Sequence, residues 1–279
     1  MTGKEIRLHR LFSQRNAVIV AADHGEFDGP IPGMIDLPRT LAQVVNPAVN
    51  GVLLSPGMVA HCGELFTSRD GPLAVVRLNW NSVYAFHWGY NDAAGAVAVT
   101  AQEALALGAD IVLVSLTLRT GSEERDARNV DVFCRLVQEA HRLGLPAIGE
   151  FFPARSHELA REEMHDLVRS GARIVAELGA DLVKTFYTYR FPEVVEGCPL
   201  PILGLGAEKT DTQLQALQLA ESEIRDGARG VVFGRNALQV PDPQRFQAAL
   251  CAVVREGMSA AEAAGRFDLK DDPGEQRRG

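Results

Sequence analysis

The sequence predicts a closed (β/α)8 barrel, the TIM-barrel architecture, in a single domain over residues 1–270. Three observations predict it. Eight short apolar runs recur along the 279 residues, amphipathic stretches separate them, and several of those stretches stop at a Leu-Gly pair just before the next run. Eight strand–helix repeats over about 250 residues is the repeat count of such a barrel. A doubly wound open sheet is the rival, and it usually carries a glycine-rich fingerprint after its first strand. Here that turn reads Asp23-His24-Gly25-Glu26-Phe27-Asp28-Gly29, without the fingerprint.

The strands follow in order. Runs 17–22 (AVIVAA), 51–55 (GVLLS), 73–79 (LAVVRLN) and 110–117 (DIVLVSLT) make the first half. Runs 146–151 (PAIGEF), 181–186 (DLVKTF), 201–205 (PILGL) and 230–234 (GVVFG) make the second. Near-continuous apolar runs suit strands buried on both faces. Residues 129–143, 158–178 and 212–226 carry apolar side chains at three- and four-residue spacing, the mark of surface helices. Gly108, Gly144 and Gly179 are placed to end helices. The third and fourth crossovers are irregular, and 271–279 (DDPGEQRRG) reads as a disordered tail.

Composition narrows the function. With 46% hydrophobic and 23% charged residues the chain has an ordinary globular balance. A net charge of −8 argues against nucleic acid as a partner, since phosphate-backbone binding needs a basic face. It leaves room for a local basic pocket. No apolar run approaches the roughly twenty residues of a membrane span, and the start has no signal-peptide core. Cys62, Cys134, Cys198 and Cys251 form no C-x-x-C or zinc-finger spacing. They read as reduced thiols of a cytoplasmic protein, Cys134 and Cys251 packing on helices.

In a barrel, chemistry sits at the C-terminal ends of the strands. Lys184 stands out there, because lysine is rarely buried and an amine among apolar side chains is more available as a nucleophile toward carbonyls. The alternative is a stem lying along the barrel with the ammonium reaching water or a carboxylate. Asp23 and His24 end the first run and could move protons beside that amine, or Asp23 could cap the following loop. Gly204, Gly206 and Lys209 after the seventh run, with Gly234 and Arg235 after the eighth, look like a phosphate cradle. Glu208 counts against it, and the glycines could be turn residues only. His24, His61 and His87 with Glu150 form the competing zinc reading, at a spacing that matches no local metal motif. Neither metal nor cofactor is expected.

Four segments carry a resemblance: DHG-x3-GP-x2-G (23–33), ADLVKTFY (180–187), GLGAEK (204–209) and GVVFGRNALQVPDP (230–243). They resemble the bacterial and archaeal class I aldolases of the fructose-bisphosphate and deoxyribose-phosphate aldolase superfamily. KTFYTYRFPEVVEGCPLPI (184–202) is especially similar to the branch that holds the autoinducer-2 phosphate thiolase. The resemblance runs from about residue 15 to 255. It implies a TIM barrel, a Schiff base on Lys184, acid/base or orienting roles for Asp23 and His24, and phosphate-binding positions at Gly206, Gly234 and Arg235. It also implies a homo-oligomer, a decamer being one candidate.

Two departures stand against that pattern. The family's strand-5 tyrosine, a proton donor in a Tyr-Pro pair, is Phe152-Pro153 here, and the thiolase branch lacks that tyrosine too. The family's Gly-Gly-(Pro/Lys)-Lys is Gly206-Ala207-Glu208-Lys209. Ordinary fructose-bisphosphate cleavage is therefore not the expectation. The expected activity is a metal-independent lyase on a ketose or ketone, phosphorylated or bearing another anion, with Glu150 or Tyr187 as the proton shuttle. The rivals are a coenzyme A-dependent acyltransferase on a phosphorylated 2,3-diketone, a transaldolase-type synthase, and an inactive sugar-phosphate-binding barrel.

Overall fold

In the computed structural model, which describes residues 2–45, 48–90 and 92–270, eight parallel strands close into a barrel. They are β1 (Ala17–Ala21), β2 (Gly51–Leu54), β3 (Leu73–Arg77), β4 (Ile111–Leu116), β5 (Ala147–Phe151), β6 (Leu182–Thr185), β7 (Ile202–Leu205) and β8 (Gly230–Phe233). Each expected run contains its strand, and β1 pairs with both β2 and β8 to complete the ring. The expected surface helices form at Glu123–Arg142, Arg161–Glu177 and Gln213–Arg225. Gly108, Gly144 and Gly179 adopt positive φ after helices, a conformation that glycine tolerates without steric cost. The expected tail, 271–279, lies outside the described residues.

Strand side chains alternate between two cores. Ile19, Leu53, Val75, Leu113, Ile148, Leu182, Leu203 and Val232 fill the barrel interior. Val18, Val52, Val76, Val112, Val183 and Val231 face the helix layer. Helix Gly3–Leu11 precedes β1, and its Leu8 and Leu11 pack with the interior cluster.

The irregular third crossover has a definite build. Strand segments Asn79–Asn81 and Gly95–Val97 pair antiparallel outside the barrel. Asn79 exchanges hydrogen bonds with the Ser115 backbone, its Oδ1 accepting from N–H at 2.8 Å and its Nδ2 donating to the carbonyl at 2.9 Å. Asn81 Oδ1 accepts from Val83 N at 3.0 Å and starts the 3-10 turn Ser82–Tyr84. Asn129 Nδ2 donates to the carbonyls of Ala93 and Thr117, each at 2.9 Å. Buried amides satisfy backbone groups that a loop would otherwise leave unpaired, and so fix the path of this segment over the barrel mouth.

Candidate active site

Four charged side chains converge where the interior changes from apolar to polar. Each comes two residues after an interior apolar residue and therefore points inward: Ala21 then Asp23, Val75 then Arg77, Ile148 then Glu150, Leu182 then Lys184. The register pairs Glu150 directly with Lys184 across β5 and β6. Lys184 Nζ lies 2.5 Å from Glu150 Oε1. Arg77 spans the pair of carboxylates, with Nη2 2.7 Å from Glu150 Oε2 and Nε 2.7 Å from Asp23 Oδ2. All four are at least nine-tenths buried. The sequence expectation of an amine in apolar surroundings is corrected: Lys184 is ion-paired, which is the neighbour a buried ammonium requires.

Burial by itself would raise both carboxyl pKa values. At Glu150 the Lys184 and then Arg77 cations outweigh it, and at Asp23 Arg77 and then Lys184 do. Both groups end below the usual carboxylate range and are ionised at neutral pH. His24 goes the other way: burial, with help from Arg235, Lys184 and Arg77, lowers its pKa to about 4 against the opposing pull of Asp23. Its Nδ1 stands 3.9 Å from Asp23 Oδ1. At pH 7 it is a neutral imidazole.

These residues line a cavity of about 770 Å³ that opens at the C-terminal end of the barrel. Phe27, Tyr84, Phe152 and Phe186 form an aromatic wall, with Tyr84 and Phe152 edge-on at 4.6 Å between ring centroids. The Arg77 guanidinium lies over the Tyr84 ring at 4.8 Å and the Phe27 ring at 5.2 Å, a cation–π contact on either aromatic. Gly206, Ala207, Glu208, Gly234 and Arg235 also line the cavity, together with Asp28.

The expected anion cradle is brought together only in part. Gly206, Gly234 and Arg235 reach the cavity, and Arg235 Nη2 donates to the Ala207 carbonyl at 3.0 Å. Gly204 does not line it: its Cα faces the helix layer, where an added Cβ would stand 2.2 Å from Glu223 Cδ. Lys209 is also outside the lining, with Nζ donating to the Thr210 carbonyl at 3.1 Å. Gly234 is glycine for a steric reason, since a Cβ there would meet His24 Cε1 at 2.2 Å. Ala207 holds φ +49°, so the alanine that replaces the family's second glycine occupies a left-handed position. Asn236 secures this loop through Nδ2, donating to the carbonyls of Gly206 at 2.8 Å and Glu208 at 2.9 Å.

Tyr187 is a further correction. Its hydroxyl donates to Asp226 Oδ2 at 2.6 Å, away from the cavity lining, because side chains past the end of β6 no longer follow the strand's alternation. Of the three histidines, His24 and His87 line the cavity and His61 is exposed on helix Pro56–His61. Among the described residues no three His, Cys, Asp or Glu side chains are grouped to hold a metal.

Sequence reasoning gave no role to Arg77, Tyr84 or Asn236, although the loop 80–95 and the stretch Gly234-Arg235-Asn236 stood among its candidate regions. Arg77 was legible by the same signal that marks Lys184, a lone cation two positions beyond an inward apolar residue. Tyr84 was not, since no local pattern says that the third crossover folds back over the mouth.

The chain is 31% identical over 268 residues to an uncharacterized aldolase of Saccharolobus solfataricus, covering 94% of this chain and 98% of that one. It is 28% identical over 264 residues to a 3-hydroxy-5-phosphonooxypentane-2,4-dione thiolase of Yersinia pestis, covering 94% and 85%. An archaeal fructose-1,6-bisphosphate aldolase, solved with its catalytic lysine covalently bound to the carbinolamine intermediate, superposes with a TM-score of 0.77 at 26% identity, covering 90% of this chain and 99% of that one. The model of the DeoC/LacD family aldolases matches residues 17–240, and the chain belongs to that family.

Proposed function

We propose that this aldolase-family chain is a class I, Schiff-base-forming carbon–carbon lyase acting on a ketose or ketone, with Lys184 as the nucleophile. The observation that carries the reading is the Lys184 amine 2.5 Å from the ionised Glu150 carboxylate at the base of a cavity of about 770 Å³. Glu150 takes a proton from the ammonium, and the free amine attacks the substrate carbonyl. Glu150 returns that proton to the departing hydroxyl as the carbinolamine loses water, with Asp23 and His24 as relay groups, and is a carboxylate again once the iminium has formed. The resulting iminium is the electron sink for cleavage or formation of the neighbouring C–C bond. Arg77 is a positioning residue, because its guanidinium holds both carboxylates in place. The covalent lysine of the archaeal aldolase supports this reading.

Arg235 marks the end of the cavity for a phosphate or another anionic group, and Glu208 and Asp28 beside it disfavour a second one. A homo-oligomeric, cytoplasmic enzyme belongs to the same proposal, on the family resemblance alone. A second reading, acyl transfer from a phosphorylated 2,3-diketone to coenzyme A, is favoured by Phe152 in the cavity wall and by the Yersinia thiolase relative.

Borohydride reduction with a panel of ketose phosphates, dihydroxyacetone phosphate and unphosphorylated ketones tests the mechanism. Mass spectrometry is expected to find a substrate-dependent adduct on Lys184 that Lys184→Met abolishes. No adduct across the panel would falsify the Schiff-base reading. Turnover that requires coenzyme A selects the acyltransferase.

A further inference from the structure

We propose that the Tyr84 phenol is the proton donor to the substrate carbon in this site, supplying the hydroxyl that Phe152 lacks. The inference rests on the Schiff-base reading and names a group that reading leaves open. Tyr84 reaches the cavity from the third crossover, not from β5, and its ring meets the Phe152 ring edge-on at 4.6 Å. Tyr84 therefore lines the cavity beside Phe152, from the neighbouring wall. Its hydroxyl is buried against Glu150 and Ser115 without a well-aligned hydrogen bond to either. A buried hydroxyl beside a carboxylate and without an aligned partner calls for an explanation, and moving a proton is the one proposed.

The other candidates are committed elsewhere. Glu150 and Asp23 are ionised before substrate arrives, and the proton that Glu150 later carries is the one it has taken from the substrate hydroxyl. Tyr187 is bonded to Asp226. Burial and then the Glu150 carboxylate hold the Tyr84 pKa far above that of an ordinary phenol, so Tyr84 keeps its proton while Glu150, beside it, has lost its own. Adjacent groups driven apart in this way make an acid and a base.

The proton balance closes. With the iminium formed, Glu150 accepts the proton of the hydroxyl one carbon beyond the bond to be broken. That C–C bond breaks, an aldehyde leaves, and the electron pair moves through the α-carbon to the iminium nitrogen, giving an enamine. Tyr84 then protonates the α-carbon as the iminium re-forms, and the phenolate recovers its proton from the Glu150 carboxylic acid alongside. Water hydrolyses the iminium and releases the ketone and Lys184.

The test uses dihydroxyacetone phosphate, with dihydroxyacetone as its unphosphorylated counterpart, in deuterium oxide. Two readouts are taken: the borohydride-trapped adduct on Lys184, and exchange of the α-hydrogen for deuterium. For Tyr84→Phe the adduct is expected to persist while exchange falls by about 10²- to 10⁴-fold, the usual contribution of a positioned acid or base. Phe152→Tyr added to Tyr84→Phe is expected to restore exchange, which loss of packing alone would not allow. A wild-type adduct together with Tyr84→Phe exchange within about threefold of wild type overturns the role of Tyr84 alone, given the loss expected of an acid. So does a folded double variant as slow as the single one. No wild-type adduct with either ketone sinks the Schiff-base reading, and this inference with it.

Discussion

Glu150 and Glu223 are both buried glutamates, at 1% and 0% exposure, and their environments drive them to opposite charge states. Glu150 projects into the barrel between Lys184 and Arg77, and its pKa falls. Glu223 projects from helix Gln213–Arg225 onto β7, where Gly204 leaves the room that its carboxyl fills. Neither Glu223 oxygen has a hydrogen-bond partner, and burial alone pushes its pKa well above the usual carboxylate value. Burial is common to both. What differs is the layer: the top of the barrel interior supplies compensating cations, and the space between barrel and helices supplies hydrocarbon. A buried carboxylate is therefore a functional signal only when its counter-charges are buried with it.

The largest expected effect comes from breaking the compensated side. Glu150→Gln leaves two buried cations short of a carboxylate and removes the base beside Lys184. Turnover is expected to fall at least about 10²-fold, and unfolding free energy by about 3 kcal/mol, read by a lyase assay and by urea denaturation. A variant of wild-type stability would break the claim that the cluster is electrostatically closed.

Glu223→Met should act in the opposite direction. A Glu223 that stays protonated when folded but ionises near pH 4.5 when unfolded makes the unfolded state bind fewer protons above that pH. Its contribution therefore becomes unfavourable by about 1.4 kcal/mol per pH unit until its own raised pKa is reached. Asp23 and Glu150 have the reverse sign: their stabilisation is present above the unfolded carboxylate pKa and is lost as pH falls through their depressed values. Glu223→Met is thus expected to stabilise the fold by about 2 kcal/mol at pH 7 and by less at pH 5, without loss of activity. Thermal melts at the two pH values check this, and an equal or negative effect at both would show that Glu223 has a partner.

The smallest effect sharpens the spatial side of the comparison. Gly204→Ala puts a Cβ 2.2 Å from Glu223 Cδ and should cost about 1–3 kcal/mol as overpacking. In a Glu223→Ala background most of that cost should vanish. Additive losses in the double-mutant cycle would mean that Gly204 is not glycine for the sake of Glu223.

Much of this was legible along the chain. The eight apolar runs, the Leu-Gly helix ends and the place of Lys184 at the end of a strand all follow from local pattern, which is a property of neighbouring residues. Arg77 carried the same signal as Lys184 and went unread because it sits inside a longer apolar run. Gly204 and Gly234 look alike in sequence, each a glycine at the end of a late strand. Yet one makes room for Glu223 outside the barrel and the other for His24 at the cavity. Nothing local separates them, since each answers to a side chain remote in sequence.

By itself, then, the sequence determined the strand count and order and the place of Lys184 at the end of the sixth strand. Contiguous apolar runs and helix-ending glycines act over a few residues, so they survive in one dimension. Only the tertiary structure decided that Glu150 is the register partner of Lys184, that Arg77 joins Asp23 to it, that Tyr84 returns over the mouth beside Phe152, and that Tyr187 and Lys209 turn away from the cavity. Those outcomes depend on strand register, barrel closure and the path of the crossovers, which bring together residues that no local pattern connects.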